Sequence, residues 1–315
     1  MLIDKRLKIF HTAAVTGNFT RAAAILGMTQ PNVTGQIRSL EQEFGTELFI
    51  RDGRQLRLTP AGMLLRREAE ELLAFEENIV REVRDSVRSV RPLRLGATMT
   101  CGGYVLPDLM EKYWIHTGNR VRFSLHIANT EEIEDALKHH AFDLALVEGP
   151  FDGSFFFSRE LLRDELVIAG HPSLPFWDGS AVLPLGSLLT SGVRFLLREP
   201  GSGTRFYFDR FCTEHRISPD PGTDIQEIGG FDAIKNLLAK GCGVTVISRL
   251  AIRQELENGL LRCAVPAEGR MERPLNFIYL ESDTRPFAEE FIRFCVSQIS
   301  RQKHRKKQDS SPALA

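Results

Sequence analysis

Between residues 30 and 40 the apolar side chains stand at Val33, Ile37 and Leu40, the i, i+4, i+7 spacing of a helix that buries one narrow stripe. At about 100° per residue, Pro31, Thr34, Gly35 and Arg38 face away from that stripe. The preceding "NFTRAAAILG" predicts a shorter helix capped by Asn18. Ala22 and Ala23 are small enough for another helix to cross closely, and Gly27 falls where the chain turns with φ > 0. Thr29 stands at the next cap, and Pro31 is tolerated because it lies in the first turn. "ELFIRDGRQLRLT" then alternates apolar and polar positions around Asp52-Gly53, a hairpin signal. From Thr59-Pro60 a helical pattern runs to about Ser89. Leu65, Ala69, Leu72, Ile79, Val83 and Val90 form a 4-3 seam that Glu76 and Ser86 interrupt, which predicts a dimerising coiled coil or a long helix packed within its own domain.

After Pro92 the period changes. "LRLGAT" reads as a strand and Gly102-Gly103 opens a helix through about Ile115. "VRFSLHIAN", "EEIEDALKHH" and "FDLALVEG" follow as strand, helix and strand, a βαβαβ series with a parallel sheet. A second series begins at "DELVIAG" and alternates through "VRFLLREP", "TRFYFDRFCTEH", "TDIQEIG", "FDAIKNLLAK" and "VTVISR". "RPLNFIYLES" and "RPFAEEFIRFCVSQI" are expected to return to the first lobe. Two α/β lobes with two crossings make a cleft, and ligands in such folds sit at the carboxyl ends of strands.

Three features carry candidate chemistry. The first two predicted helices have the geometry of a helix-turn-helix, whose second helix offers its N-terminal half to a DNA groove. Thr29, Gln30, Asn32, Thr34 and Gln36 bring neutral hydrogen-bonding groups that read base edges, and Arg38 suits phosphate or guanine. Arg51, Arg54 and Arg57 decorate the hairpin as a wing needs for phosphate contact, or as charges guard an ordinary edge. In the body, "GATMTCGG" and "EPGSGTR" each follow a strand and precede a helix. Thr98, Thr100, Ser202 and Thr204 supply hydroxyls there, and Gly201 and Gly203 expose backbone N–H groups. That combination favours a small anion or carboxylate, unless these are ordinary tight turns.

Composition narrows the reading. The net charge is −1, but residues 1–60 carry eight basic and five acidic side chains and residues 301–315 five basic and one acidic, leaving the middle at −8. A basic head on an acidic body approaches a polyanion head first. The tail "RQKHRKKQDSSPALA" is polar and expected to be disordered. The five cysteines, Cys101, Cys212, Cys242, Cys263 and Cys295, are scattered and lack metal spacing, which predicts a reducing cytoplasm and buried thiols. Adjacent His139 and His140 point apart on a helix and seldom share a metal. No signal peptide or membrane span is expected. The lack of GxSxG and GxxxxGK[ST] argues against an enzyme. A solute-binding protein would have no use for the first 60 residues.

The stretch "NFTRAAAILGMTQPNVTGQIRSLEQEFGTELFIRDGRQLRLTPAG" closely resembles the N-terminal signature of the LysR-type transcriptional regulators, and "LLREPGSGTR" and "GCGVTVISRLAI" resemble segments of their effector domain. The resemblance implies an α/β protein with an α-rich N-terminal winged helix-turn-helix and a two-lobed, periplasmic-binding-protein-like effector domain. The expected divisions are residues 1–59 for DNA binding and 60–90 for a linker and dimerisation helix. The effector domain takes 91–300, with lobe I at about 91–161 and 268–300 and lobe II at about 162–267; residues 301–315 form the tail. It implies a homodimer or homotetramer on double-stranded promoter DNA that answers to a small molecule, with RNA polymerase as a further partner; the two loops make that molecule an expected anion, and no cofactor, metal or membrane is expected. The same likeness adds Met99, Cys101, Glu148, Phe231 and Thr245 to the effector contacts. A thiol-based redox sensor is the alternative within the family. Gly35 departs from the basic or polar residue that many members carry there, so an operator sequence does not transfer directly.

Overall fold

The computed structural model describes residues 3–52, 55–86, 92–177, 179–220, 222–281 and 285–309. It divides into two compact units, residues 1–89 with 139–141, and residues 90–138 with 142–315.

In the first unit, glycines and caps set the helix boundaries. Helix α1 (Lys5–Thr16) starts at Asp4, whose side chain accepts the Arg6 N–H, and ends at Gly17 with φ 60°. Helix α2 (Phe19–Leu26) starts at Asn18, which accepts the N–H groups of Thr20 and Arg21, and ends at Gly27 with φ 63°. Helix α3 (Gln30–Phe44) follows. Thr29 holds its cap position but makes no side-chain cap bond, so the start of α3 depends on backbone conformation and on proline in its first turn. Strands β1 (Phe49–Asp52) and β2 (Gln55–Leu58) pair antiparallel, Asp52 opposite Gln55. Gly53, Arg54 and the Arg51 side chain lie outside the described residues. Helix α4 (Pro60–Ser86) completes the unit; Val90 of the expected seam lies outside the described residues.

Phe10, Ala13, Ala22, Val33, Ile37, Leu40, Leu48 and Ala69 close the core of this unit. Phe49 brings the wing to it, its ring 5.4 Å from Phe10 and edge-on to Phe19 at 5.2 Å. Glu41 of α3 accepts the N–H groups of Leu48 (2.9 Å) and Phe49 (3.3 Å), which fastens the wing to α3.

The second unit begins with β3 (Pro92–Thr98), α5 (Met99–Tyr104), α6 (Leu106–His116), β4 (Arg122–Ala128), α7 (Thr130–Lys138) and β5 (Leu144–Val147). Then come β6 (Phe157–Gly170), β7 (Val182–Leu183), α8 (Leu185–Thr190), β8 (Phe195–Leu197), α9 (Gly203–Glu214) and β9 (Ile225–Glu227). It ends with α10 (Phe231–Ala239), β10 (Val244–Ser248), α11 (Arg253–Glu257), β11 (Arg262–Pro266), β12 (Met271–Tyr279) and α12 (Arg285–Asp309). The main sheet runs β4-β3-β5-β12-β6-β10-β8-β9, with β11 also paired to β6. Its flanks are parallel, β3 with β4 and β5 on one side and β8 with β9 and β10 on the other. The centre, β6 with β12, is antiparallel.

Of the four apolar clusters among the described residues of this unit, two show how that centre joins them. One gathers Leu95, Leu106, Leu146 and Phe277 with Phe291 of α12, which meets Tyr113 edge-on at 5.0 Å. The other gathers Ile168, Leu185, Phe195, Phe211 and Val246. Strand β6 gives Leu161 to the first core and Leu166 to the second; β12 gives Met271 to the second and Leu275 to the first. These two strands are therefore the crossings between lobes. Strand β6 begins at Phe157, seven positions earlier than the expected strand at Asp164. Its early half is largely exposed and polar, so its strand character comes from pairing with β12, which burial patterning does not reveal. Helix α12 continues to Asp309, into the stretch expected to be disordered, because arginine, glutamine and lysine there are good helix formers. Residues 310–315 lie outside the described residues.

Gly62 in the first turn of α4 is a position where packing demands glycine: a Cβ would stand 2.1 Å from the Leu48 carbonyl oxygen and 2.9 Å from Leu58 Cδ2. Gly62→Ala should destabilise the first unit by about 1–3 kcal/mol, read as an earlier thermal transition of that unit.

Candidate functional site

Helix α3 buries Val33, Ile37 and Leu40 and turns its other faces outward. Thr29, Pro31, Asn32, Gly35 and Arg38 are exposed, while Gln30, Thr34 and Gln36 are half-buried. Gln30 Nε2 donates to Thr34 Oγ1 at 2.9 Å across one helical turn, so the two side chains present one pre-arranged polar surface. A Cβ built on Gly35 meets nothing within 4 Å, so packing does not require glycine there. Arg57 of β2 is exposed on the wing.

In the second unit the two predicted loops come together, but differently from expectation. Thr98, Thr100, Cys101, Glu148, Ser202 and Thr204 are all buried. Their polar groups are engaged by the chain itself. Thr98 donates its hydroxyl to Glu148 Oε2, and the Cys101 thiol donates to the same oxygen at 3.2 Å. Thr100 and Thr204 each accept an N–H from Arg273, both at 3.0 Å. Ser202 caps α9 by accepting the Arg205 N–H at 3.1 Å. Thr245 donates to the Leu196 carbonyl, away from the loops. Phe231 packs in another cluster with Met99 and Tyr104, under the Arg198 guanidinium at 4.8 Å. Gly201, with φ 89°, and Ser202 also line a cavity of about 500 Å³ between α7 and the start of α9. Lys138 and Arg205 bring positive charge to it, Arg205 paired with Asp209 at 2.9 Å, and Glu131, Glu134, Asp135 and Asp209 bring negative charge. Burial raises the Glu134 carboxyl above its ordinary value.

The family described as "Bacterial regulatory helix-turn-helix protein, lysR family" matches residues 5–63, and "LysR substrate binding domain" matches residues 88–300. The chain belongs to the LysR family. It is a DNA-binding transcriptional regulator with an effector-binding domain. An "Uncharacterized HTH-type transcriptional regulator YeiE" of Escherichia coli (strain K12) is 27% identical over 292 residues, covering 92% of this chain and 96% of that one. The "RuBisCO operon transcriptional regulator" of Allochromatium vinosum is 29% identical over 304 residues, covering 94% and 96%. Among solved structures, full-length CbnR in complex with its target DNA shares the fold with a TM-score of 0.66 at 19% identity, covering 94% of this chain and 99% of that one.

For a LysR-family effector domain, the residues that sequence reasoning missed are Arg273, Asp164 and Ser248. Arg273 is fully buried, its Nε donating to Asp164 Oδ2 at 2.9 Å and its Nη1 lying 3.7 Å from Glu148 Oε1. Ser248 donates to the other Asp164 oxygen at 2.8 Å. Burial alone would lower the Arg273 pKa; Asp164 and Glu148 more than offset it, so the guanidinium stays charged. Arg273 stands at the edge of the apolar stretch "RPLNFIYLES", just after Arg270 and Glu272, so the sequence did not mark it as buried, a state arginine almost never takes unless paired.

Cys101, Cys212, Cys263 and Cys295 are shifted toward the protonated thiol. Burial, then the Glu148 carboxylate, pushes Cys101 well above the ordinary thiol range, and burial raises Cys263. Burial also takes Cys212 from 9.0 to about 12 and Tyr113 from 10.0 to about 12. An acid whose folded pKa lies above its unfolded one stabilises the fold fully below the unfolded pKa, and that contribution is lost as pH rises toward the folded one. The thermal midpoint of the second unit should therefore fall between pH 9 and about 12. Cys212→Val should make that fall shallower; an unchanged slope would show that Cys212 does not titrate with unfolding.

Proposed function

We propose that this regulator binds a partly palindromic promoter site through α3, with Gln30, Asn32, Thr34, Gln36 and Arg38 toward the base edges and Arg51, Arg54 and Arg57 on the phosphates. The outward polar face of α3, pre-arranged by the Gln30–Thr34 bond, carries this reading. Gly35 keeps that face low, so a base or phosphate approaches the helix backbone closely. Paired heads follow from α4, which leaves Leu72, Phe75 and Val83 exposed, apolar positions that a second copy would cover. A homotetramer in the cytoplasm, able to touch RNA polymerase at a promoter, extends the same reading.

The effector we assign is a small molecule with an anionic group. Gly201 and Ser202 stand at the start of α9, a helix of 12 residues whose N-terminus favours negative charge, and Lys138 and Arg205 share the cavity. Glu131, Glu134 and Asp135 suit hydroxyl or amine donors on the same molecule. Binding that differs between two arrangements of the lobes would shift the population and so the contacts on DNA.

The promoter test compares the chain's own upstream duplex with random duplex at moderate salt. Thr34→Ala should relax preference at one base position by about 1–3 kcal/mol, and unchanged preference would remove that contact. Arg54→Ala should weaken binding to all sequences alike and flatten its salt dependence. For the effector, a thermal-shift panel of small carboxylates and oxyanions should include one that stabilises the second unit by about 2.7 kcal/mol at a hundredfold excess over its Kd. A panel that moves nothing would count against the anionic class.

A further inference from the structure

We infer that Arg273 is a positioning residue for the effector response, a guanidinium that ties helix starts of both lobes to the strands crossing between them. The argument begins with location. Arg273 lies on β12 directly opposite Asp164 on β6, and these two strands connect the lobe cores. Its Nε donates to Asp164 at 2.9 Å, which seats the planar head on the crossing. The two remaining nitrogens diverge: Nη2 donates to Thr100 at the start of α5, and Nη1 to Thr204 at the start of α9. Thr100 packs with the first lobe and Thr204 with the second. One rigid fork therefore spans both lobes and the crossing, which a single-point ammonium cannot do.

The surroundings make this tie stiff. Arg273 and Asp164 are fully removed from solvent at their side chains, and Glu148, 3% exposed, stands 3.7 Å from Nη1. At the same closure a Cβ on Gly203 would come within 2.8 Å of Glu148 Cγ and 2.9 Å of the Gly149 nitrogen, so the second lobe's loop already rests on the first. A buried guanidinium deprived of one acceptor must find another, because an unmet charged donor away from water is costly. A ligand in the cavity at Gly201 and Ser202 that shifts the start of α9 thus moves Thr204 and with it Arg273, and the opposite lobe responds. That consequence for signalling rests on the cleft reading above; the tie itself is independent of any ligand.

The test is amide hydrogen exchange on the full chain without ligand, comparing wild type with Thr100→Val, Thr204→Val and Arg273→Lys. The reporters are the Val105 amide, bonded to the Cys101 carbonyl on α5, and the Phe206 amide, bonded to the Ser202 carbonyl on α9. Each variant should speed exchange at both reporters by about tenfold or more, as expected for loss of a hydrogen bond to a charged group. Leu146 in β5 and Ile168 in β6 should keep their wild-type rates. Acceleration in only the substituted lobe, in neither, or equally at Leu146 and Ile168 would overturn the tie. A failure of the anion panel leaves this outcome untouched, so the two readings fail separately.

Discussion

A guanidinium with no access to water is stable only where its donors and its charge are met on every side. Arg273 meets that constraint with Asp164, Thr100, Thr204 and the nearby Glu148. The architecture of the second unit follows from where those partners sit. Asp164 must lie opposite on the neighbouring strand, which places the pair on the crossing between lobes. Thr100 and Thr204 must each begin a helix after a strand, which brings the carboxyl ends of β3 and β8 to face one another. The cost of leaving any member unpaired keeps the group together, and apolar packing of Met99 and Tyr104 against Phe231 adds a second contact between the lobes.

This arrangement changes the meaning of the two loops. Hydroxyls next to helix starts at the carboxyl ends of strands have the ingredients of an anion site. Here Thr98, Thr100 and Thr204 bond to the chain's own ionised groups, and the open cavity lies beside them, at Gly201 and Ser202. That cavity and the buried charge cluster are neighbours joined by one turn of chain. Desolvation and the nearby Glu148 carboxylate also raise the Cys101 thiol well above its ordinary range, away from the thiolate that a redox role at that position needs.

The first unit obeys a different constraint. Its core is small, and α3 contributes only three fully buried side chains to it, Val33, Ile37 and Leu40. Its outward positions Pro31, Asn32, Gly35 and Arg38 are exposed, and the missing side chain of Gly35 leaves open space. A helix held by so thin a stripe needs help from its neighbours, and Glu41 supplies it by binding the wing backbone. The outward polar face of α3 and the wing are consequently positioned by the same helix.

Local rules were enough for much of this. Asn18, Gly27, the Val33–Ile37–Leu40 stripe and the hairpin around residues 52–55 were legible because capping, left-handed turns and helical periodicity depend on neighbours a few residues away. Strand and helix alternation in the body was legible on the same grounds. The early half of β6 was not, since its strand character is conferred by β12, more than a hundred residues distant in the chain. Arg273 was not either: nothing near it in sequence says that Thr100, Asp164 and Thr204 will converge on it. By itself, then, the sequence determined most of the long elements, the family and the outward face of α3, but not β7, α8, α11 or β11. The tertiary structure alone decided which polar groups would satisfy one another, because hydrogen bonding and desolvation are settled by what lies across space, and no periodicity along a chain encodes that.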